Sequence, residues 1–338
     1  MGMGIGHTSP PEKILPQTCK VCQDAAMDET VSVVVVGVGH LGRHHLRLAS
    51  SLPCWRCTGA YDTDQARLAS LCQEFGVPRL GSLEEAVQAA EAAIVATPTV
   101  THLEVAGRFL QAGRHVLVEK PLAATVGEGE ALVSMAAQKD LVLAVGHVEF
   151  FNPAVQALLQ RAPRPRYLEA QRLSPFSRRS LDVDVVLDLM VHDLQIAQAL
   201  NPGVHLREIR AVGLPVLSPQ EDLANVRLEF ANGCVANLTA SRVAADRVRK
   251  LRVFAPDAYY SVDYSQQSIH AFRLERHQDE PQIAPLIVPV EHAEPLAREH
   301  LAFAAAVRRR PTPLVTGVDG LAALQAACAI GKAIRQNT

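Results

Sequence analysis

The sequence predicts an α/β protein in two parts. A doubly wound parallel sheet is expected over residues 31–150, and an α+β unit with an open, mainly antiparallel sheet over residues 151–338. Three observations predict this. Short β-branched or apolar runs alternate with amphipathic helical segments from Val31 to His147, the alternation that builds parallel sheets. After Pro153 the strands lengthen, turn more polar and follow one another with turn signals between them. Among them, LEF-ANG-CVANL carries Asn232 and Gly233 at a hairpin turn.

Taken in order, residues 1–30 mix Gly, Pro and charge without a sustained period and read as a disordered extension. SVVVVG (32–37) is a buried strand ending in glycine. LGRHHLRLASSL is helical, CTGAYD is a strand, and DQARLASLCQEFG is a helix closed by Gly76. In SLEEAVQAA, Ser82 stands three residues ahead of Glu85, a capping-box spacing. AAIVATP, HLEVAGRFLQAG, HVLVEKP, VGEGEALVSMAAQKD and LVLAVGH continue as strand, helix, strand, helix and strand. Helices follow over 155–161 and 184–200. The strands REIRAVGL, NVRLEFANGCVANLTAS, KLRVFAP, YYSVDYS and SIHAFRLER come next, and the Ala-rich helix DGLAALQAACAIGKAI closes the chain.

Thirty-three Lys and Arg against 35 Asp and Glu give a net charge of −2 with no long run of one sign. That excludes binding driven by a basic face, so no nucleic-acid or membrane partner is expected. RVAADRVRKLRV (242–253) is locally basic, but its alternation with apolar residues reads as a solvated strand face. No apolar run approaches the roughly 18 residues of a bilayer span and the N-terminus lacks a secretory pattern, so a cytoplasmic protein is expected. Seven cysteines in so long a chain do not form a disulfide framework. The pairs Cys19/Cys22 and Cys54/Cys57 have metal-type spacing, yet Cys57 opens a strand and the first pair lies in the extension, so no metal is expected.

GVGHLG (37–42) fits G-x-G-x-x-G and has the required context, behind a strand and opening a helix. Gly37 permits the tight turn, Gly39 admits a pyrophosphate, and Gly42 lets helix pack on strand. His40 and Leu41 start the helix, whose N-terminus favours anions. Asp62 ends the second strand twenty residues past Gly42. A carboxylate there accepts ribose hydroxyls and repels a 2′-phosphate, so NAD is expected in preference to NADP. The strands ending in ATPT and EKP meet the same crevice. They bring Thr97, Pro98, His102, Glu119 and Lys120 toward the cofactor, and Pro121 fixes the exit of the second.

Lys120 thereby places a cation where the nicotinamide would lie. VVLDLMVHDL (185–194) is an apolar segment that nonetheless holds Asp188, His192 and Asp193. In an α-helix Asp188 and His192 are i and i+4 on one face, an arrangement in which the carboxylate biases the imidazole as a proton acceptor. Asp193 lies about 100° further round and need not share that site.

GVGHLG, EKP, GHVEFFNP and D-L-x-V-H-D, in this order across residues 31–338, resemble the glucose–fructose oxidoreductase/inositol dehydrogenase/MocA family. The resemblance implies a Rossmann domain, an open sheet whose face covers the nicotinamide, and Lys120, Asp188 and His192 as the catalytic group. SPFSRRSLDVDVVLDLMVHDL and KLRVFAPDAYYSVDY look similar to the bacterial UDP-N-acetylglucosamine 3-dehydrogenase branch. That implies NAD-dependent oxidation of a sugar secondary hydroxyl, the 3-hydroxyl of a UDP-N-acetylhexosamine, in a lipid A or cell-envelope pathway. A dehydrogenase of a free polyol or sugar is the alternative, and a non-catalytic NAD-sensing protein is the alternative of another class. Phe150 stands where the family pattern leads one to expect Arg, and Gln195 where Asp is common. Asn152 is expected on sugar hydroxyls and Arg178 and Arg179 on a diphosphate. The open sheet needs cover, so a homodimer or homotetramer through it is expected.

Overall fold

The structure, a computed structural model, describes residues 30–161, 164–176, 183–276 and 280–336. The expected extension, Cys19, Cys22, Arg178 and Arg179 lie outside the described residues.

The first sheet holds β1 (Val31–Val36), β2 (Trp55–Tyr61), β3 (Ala92–Val95), β4 (His115–Glu119) and β5 (Leu143–Gly146), ordered 2-1-3-4-5 and parallel throughout. Every residue of β1 is buried, as its unbroken β-branched run requires for a strand covered on both faces. The helices between are α1 (His40–Ser51), α2 (Gln65–Phe75), α3 (Leu83–Ala89), α4 (His102–Gln111) and α5 (Val126–Gln138). Their ends follow local chemistry. Asp64 accepts the Arg67 amide, Gly76 closes α2 at φ 65°, Ser82 accepts the Glu85 amide, and Thr125 with Glu128 forms a full capping box. Strand order reverses between β1 and β3, and a ligand crevice opens at the carboxyl ends beside such a switch.

The second sheet runs β13-β12-β11-β10-β6-β9-β8-β7, with β6–β9 the one parallel pair among these strands. Its members include β6 (Tyr167–Leu173), β7 (Leu206–Leu214), β8 (Leu223–Phe230), β9 (Val235–Ser241), β10 (Val248–Phe254), β11 (Ala258–Asp263), β12 (Ser268–Arg276) and β13 (Pro281–Leu286). The β8–β9 turn carries Gly233 at φ 80°, the conformation expected of its Asn-Gly pair. One face packs on α6 (Pro153–Gln160) and α7 (Val191–Ala199), through Leu168, Leu238, Leu251, Leu158 and Leu194. The other face carries a row of rings, Tyr167, Phe254, Tyr259 and Phe272, with centroids 5.4, 4.8 and 6.4 Å apart in succession.

Three elements escaped the sequence reading: β6, β13 and the helix α8 (Pro295–Val307). In α8, Phe303, Ala304 and Val307 return to pack with Val31, Val33 and Trp55 beneath the first sheet. The last helix, α9 (Gly317–Gln336), is long and apolar enough to cross a membrane by length and composition, contrary to the expectation from the sequence. It lies as a core helix instead: Ile330 and Ile334 join the second core, and Leu324 the first.

Candidate active site

The cofactor cradle follows from three glycines. Gly37 adopts φ 83°, and a Cβ there would stand 2.5 Å from the Ala96 carbonyl oxygen. A Cβ at Gly42 would stand 1.9 Å from the Gly37 carbonyl oxygen. Gly39 is the N-cap of α1. Nothing lies within 4 Å of its missing Cβ, and no side chain caps the helix. The amides at that end therefore face open space, which fits a dinucleotide pyrophosphate. His40 and Leu41 are exposed beside them.

Asp62 accepts the Val38 amide at 2.7 Å, the Asp64 amide at 2.8 Å and an Arg67 N–H at 3.0 Å. Burial alone would raise its pKa, but these donors hold the carboxyl below its usual range. Arg67 thus sits on the carboxylate that is expected to read the ribose. Asp62→Ala is expected to shift the NAD-over-NADP ratio of kcat/KM toward NADP by about tenfold to a hundredfold. That is the worth of a hydrogen bond to a charged group, and the freed Arg67 adds to it. An unchanged ratio would show that another residue reads the ribose.

Behind the crevice the expected cofactor residues divide. Thr97 and Pro98 stand at its lip. His102 is buried, with Nδ1 3.0 Å from the Pro121 carbonyl and Nε2 3.0 Å from the Thr97 carbonyl. It braces the two strand exits from below. Glu119 also points inward, accepting His45 Nε2 at 2.8 Å and the Lys120 amide at 3.1 Å. The side chains of these two residues brace the site from behind.

Glu119 ends a buried chain. Trp55 Nε1 is only a donor, so His300 Nδ1 accepts from it at 3.2 Å. His300 Nε2–H then donates to His45 Nδ1 at 2.9 Å, and His45 Nε2–H donates to Glu119. Burial opposes ionisation of Glu119, but His45 and the Lys120 charge hold its carboxyl below the usual range. Glu299 lies beside this chain, fully buried with both carboxyl oxygens unpartnered. Burial, then Glu119, pushes its pKa well above the usual range, so it is neutral. Ligand atoms of His45, Glu119 and Glu299 lie within 4.8 Å of one another, but His45 already spends both ring nitrogens on hydrogen bonds.

Lys120 Nζ donates to the Asp188 carbonyl at 2.7 Å and to its carboxylate at 3.2 Å. Residues Val186–Met190 form a π-helical turn in which the Val191 amide reaches back to Val186. The wider turn breaks the i, i+4 stacking assumed from sequence, as such insertions do at functional sites. Asp188 therefore orients Lys120, not His192. The His192 ring is nearly buried, with Nδ1 enclosed and unpartnered. It meets the edge of His147 at 5.7 Å. Burial, then Lys120, pushes its pKa well below the ordinary value, which favours the neutral imidazole. His147, wholly enclosed, is pushed down to about 3 by burial and then by Lys120.

A second buried network anchors the His192 helix. Arg172 on β6 donates to the Asp193 carboxylate at 2.8 and 3.0 Å and to Glu149 at 2.8 Å. The Tyr264 hydroxyl donates to Asp193 at 3.1 Å. Asn152 is a further correction. Its side chain caps α6 and donates to the Tyr264 carbonyl, and at 2% exposure it offers a sugar nothing. Phe150 packs edge-on against Phe151, and the Gln195 side-chain oxygen is buried without a partner. Arg172 is a site residue that sequence reasoning missed, and His147 and Glu149, near the strand exit, carried no assigned role there. Asp193 alternating out of register with its apolar neighbours was the one signal of a buried partner.

Two family models match the chain. The oxidoreductase family with an NAD-binding Rossmann fold covers residues 31–147, and the GFO/IDH/MocA C-terminal domain covers residues 155–261. The chain is similar to UDP-N-acetylglucosamine 3-dehydrogenase of Acidithiobacillus ferrooxidans, with 40% identity over 70% of this chain and 75% of that protein. A solved structure of that enzyme has a TM-score of 0.83 at 36% identity, covering 91% of this chain and 98% of the other. The scyllo-inositol 2-dehydrogenase (NAD(+)) of Bacillus subtilis is 25% identical over 91% of this chain and 95% of its own.

Proposed function

The chain belongs to the GFO/IDH/MocA family of NAD-binding oxidoreductases, and we propose that it oxidises the 3-hydroxyl of a UDP-N-acetylhexosamine. The observation that carries the chemistry is the meeting of Lys120, on the EKP strand exit, with the Asp188/His192 segment at the carboxyl ends of the parallel strands. His192 Nε2 takes the hydroxyl proton while hydride leaves the same carbon. The Lys120 ammonium donates to that oxygen and stabilises the developing alkoxide. Asp188 aims the ammonium through both its carbonyl and its carboxylate. NAD, when bound, supplies the hydride acceptor, and Gly37, Gly39, Gly42 and Asp62 are the residues that hold it. The similarity to UDP-N-acetylglucosamine 3-dehydrogenase supports the substrate.

The similarity to an inositol dehydrogenase along most of the chain supports a second reading, oxidation of a free polyol. NADH formation across UDP-N-acetylglucosamine, UDP-glucose, free glucose and myo-inositol, with a carbonyl trap present, separates the two. Turnover confined to the UDP-amino sugar is expected; turnover of inositol would move the enzyme to the polyol branch. We also place a second copy of the chain on the ringed outer sheet face, where Phe254 and Phe272 are more than a third exposed. A monomer in sedimentation velocity at micromolar concentration would remove that assembly.

A further inference from the structure

The basic strand KLRVF and the residues leading into it read from sequence as a solvated face, and the structure places one of them elsewhere. Arg249 pairs in register with Arg172 across β10 and β6, so both side chains stand on the same face. That is the helix-covered face, where Leu251 and Val253 further along β10 are buried. Arg249 lies at the end of β10 nearest Glu149, in the turn that follows β5, and its charge is felt at His192.

The two arginines are unequally satisfied. Arg172 commits its guanidinium to Asp193 and Glu149 with three bonds of 2.8 to 3.0 Å. The Arg249 guanidinium reaches the same Glu149 oxygen at 3.3 Å, its one side-chain hydrogen bond to a described residue. A guanidinium carries five N–H donors, so most of this fork is unspent, and its side chain is 37% exposed. Lys120 is already matched by Asp188. Among the described residues, Arg249 is thus the cation near His192 that lacks a carboxylate of its own. Burial, then Arg172, pushes its pKa below the ordinary arginine value, as expected of a cation wanting an anion.

We propose that Arg249 binds the diphosphate of a nucleotide-sugar substrate whose hydroxyl is oxidised at Lys120 and His192. This rests on the nucleotide-sugar reading above and adds the residue that recognises it. A planar fork open on one side suits bidentate contact with phosphate oxygens.

The test is calorimetric binding of UDP-N-acetylglucosamine, and of UDP alone, to the NADH-saturated enzyme. Arg249→Gln is expected to weaken both by about 10- to 150-fold, the range for a hydrogen bond to a charged group, with NADH affinity unchanged. Arg249→Met keeps the packing of the stem and carries the comparison if the glutamine variant fails to hold NADH. In the wild type, affinity for UDP falls with rising salt, and the slope is shallower in either variant. Wild-type binding that survives both substitutions within twofold overturns the role of Arg249 while leaving the nucleotide-sugar reading intact. A wild type that binds neither ligand overturns both.

Discussion

Lys120→Met lowers kcat by about 10²–10³-fold, the expected cost of losing a preorganised donor to a developing oxyanion, while NADH affinity stays within a few-fold. Methionine keeps the length and apolar stem of lysine but neither its charge nor its donors. The cradle glycines and Asp62 are untouched, so cofactor binding is preserved. Asp188 loses its cation, but its side chain is 21% exposed, and water compensates a partly open carboxylate far better than a buried one. The loss therefore appears in turnover and not in folding. Stopped-flow hydride transfer with saturating NAD and sugar, beside a fluorescence titration of NADH, separates the two. Full-rate transfer in the variant would remove Lys120 from the chemistry. Loss of NADH binding would instead make it a structural residue of the cradle.

Arg172→Met destabilises the fold by about 3–5 kcal/mol, the cost of breaking a buried ion pair from one side. Arg172 is 3% exposed, and Asp193 opposite it is 4% exposed. Burial disfavours the guanidinium, but Asp193 and then Glu149 hold its pKa well above the ordinary value. Without it, Asp193 keeps only the Tyr264 hydroxyl, and Glu149 keeps the long contact to Arg249. A drop of roughly 4–7 °C in Tm is expected. Replacing Asp193 by Asn in the same chain recovers part of it, because the stranded charge is then gone. Equal Tm for Arg172→Met and wild type would mean that the carboxylates are solvated or neutral in the folded protein. His192 lies on the same helix as Asp193, so activity falls with this variant even where the protein remains folded.

The parallel half was legible because its signals are local. A β-branched run, a glycine turn, a capping serine and a Lys-Pro strand exit each state their conformation within a few residues. The hairpin at Asn232 and Gly233 was legible for the same reason. β6 was not, because it follows the proline-rich RAPRPR and places Arg172 at a position its alternation reserves for the core. Only Asp193 and Glu149, both distant in sequence, make that arginine buriable. The Asp188–His192 pairing failed for another reason: the spacing was right for an α-helix, and the segment winds as a π turn. Asn152 looked free because helix capping consumes a side chain without leaving any trace in composition. Long-range polar partnership decided the miss at β6, and hydrophobic periodicity does not encode it.

Trp55 is the chain's single tryptophan, and its place in the buried chain makes it an optical reporter of one seam. The indole is 6% exposed, with the Phe303 ring at 5.8 Å and the His300 ring at 6.1 Å. Both of those rings belong to α8, which returns from the far end of the chain. Intrinsic emission therefore reads the docking of that helix on the nucleotide half: blue-shifted while the seam is closed, red-shifted once water reaches the ring. Loosening confined to the antiparallel sheet is silent by the same criterion.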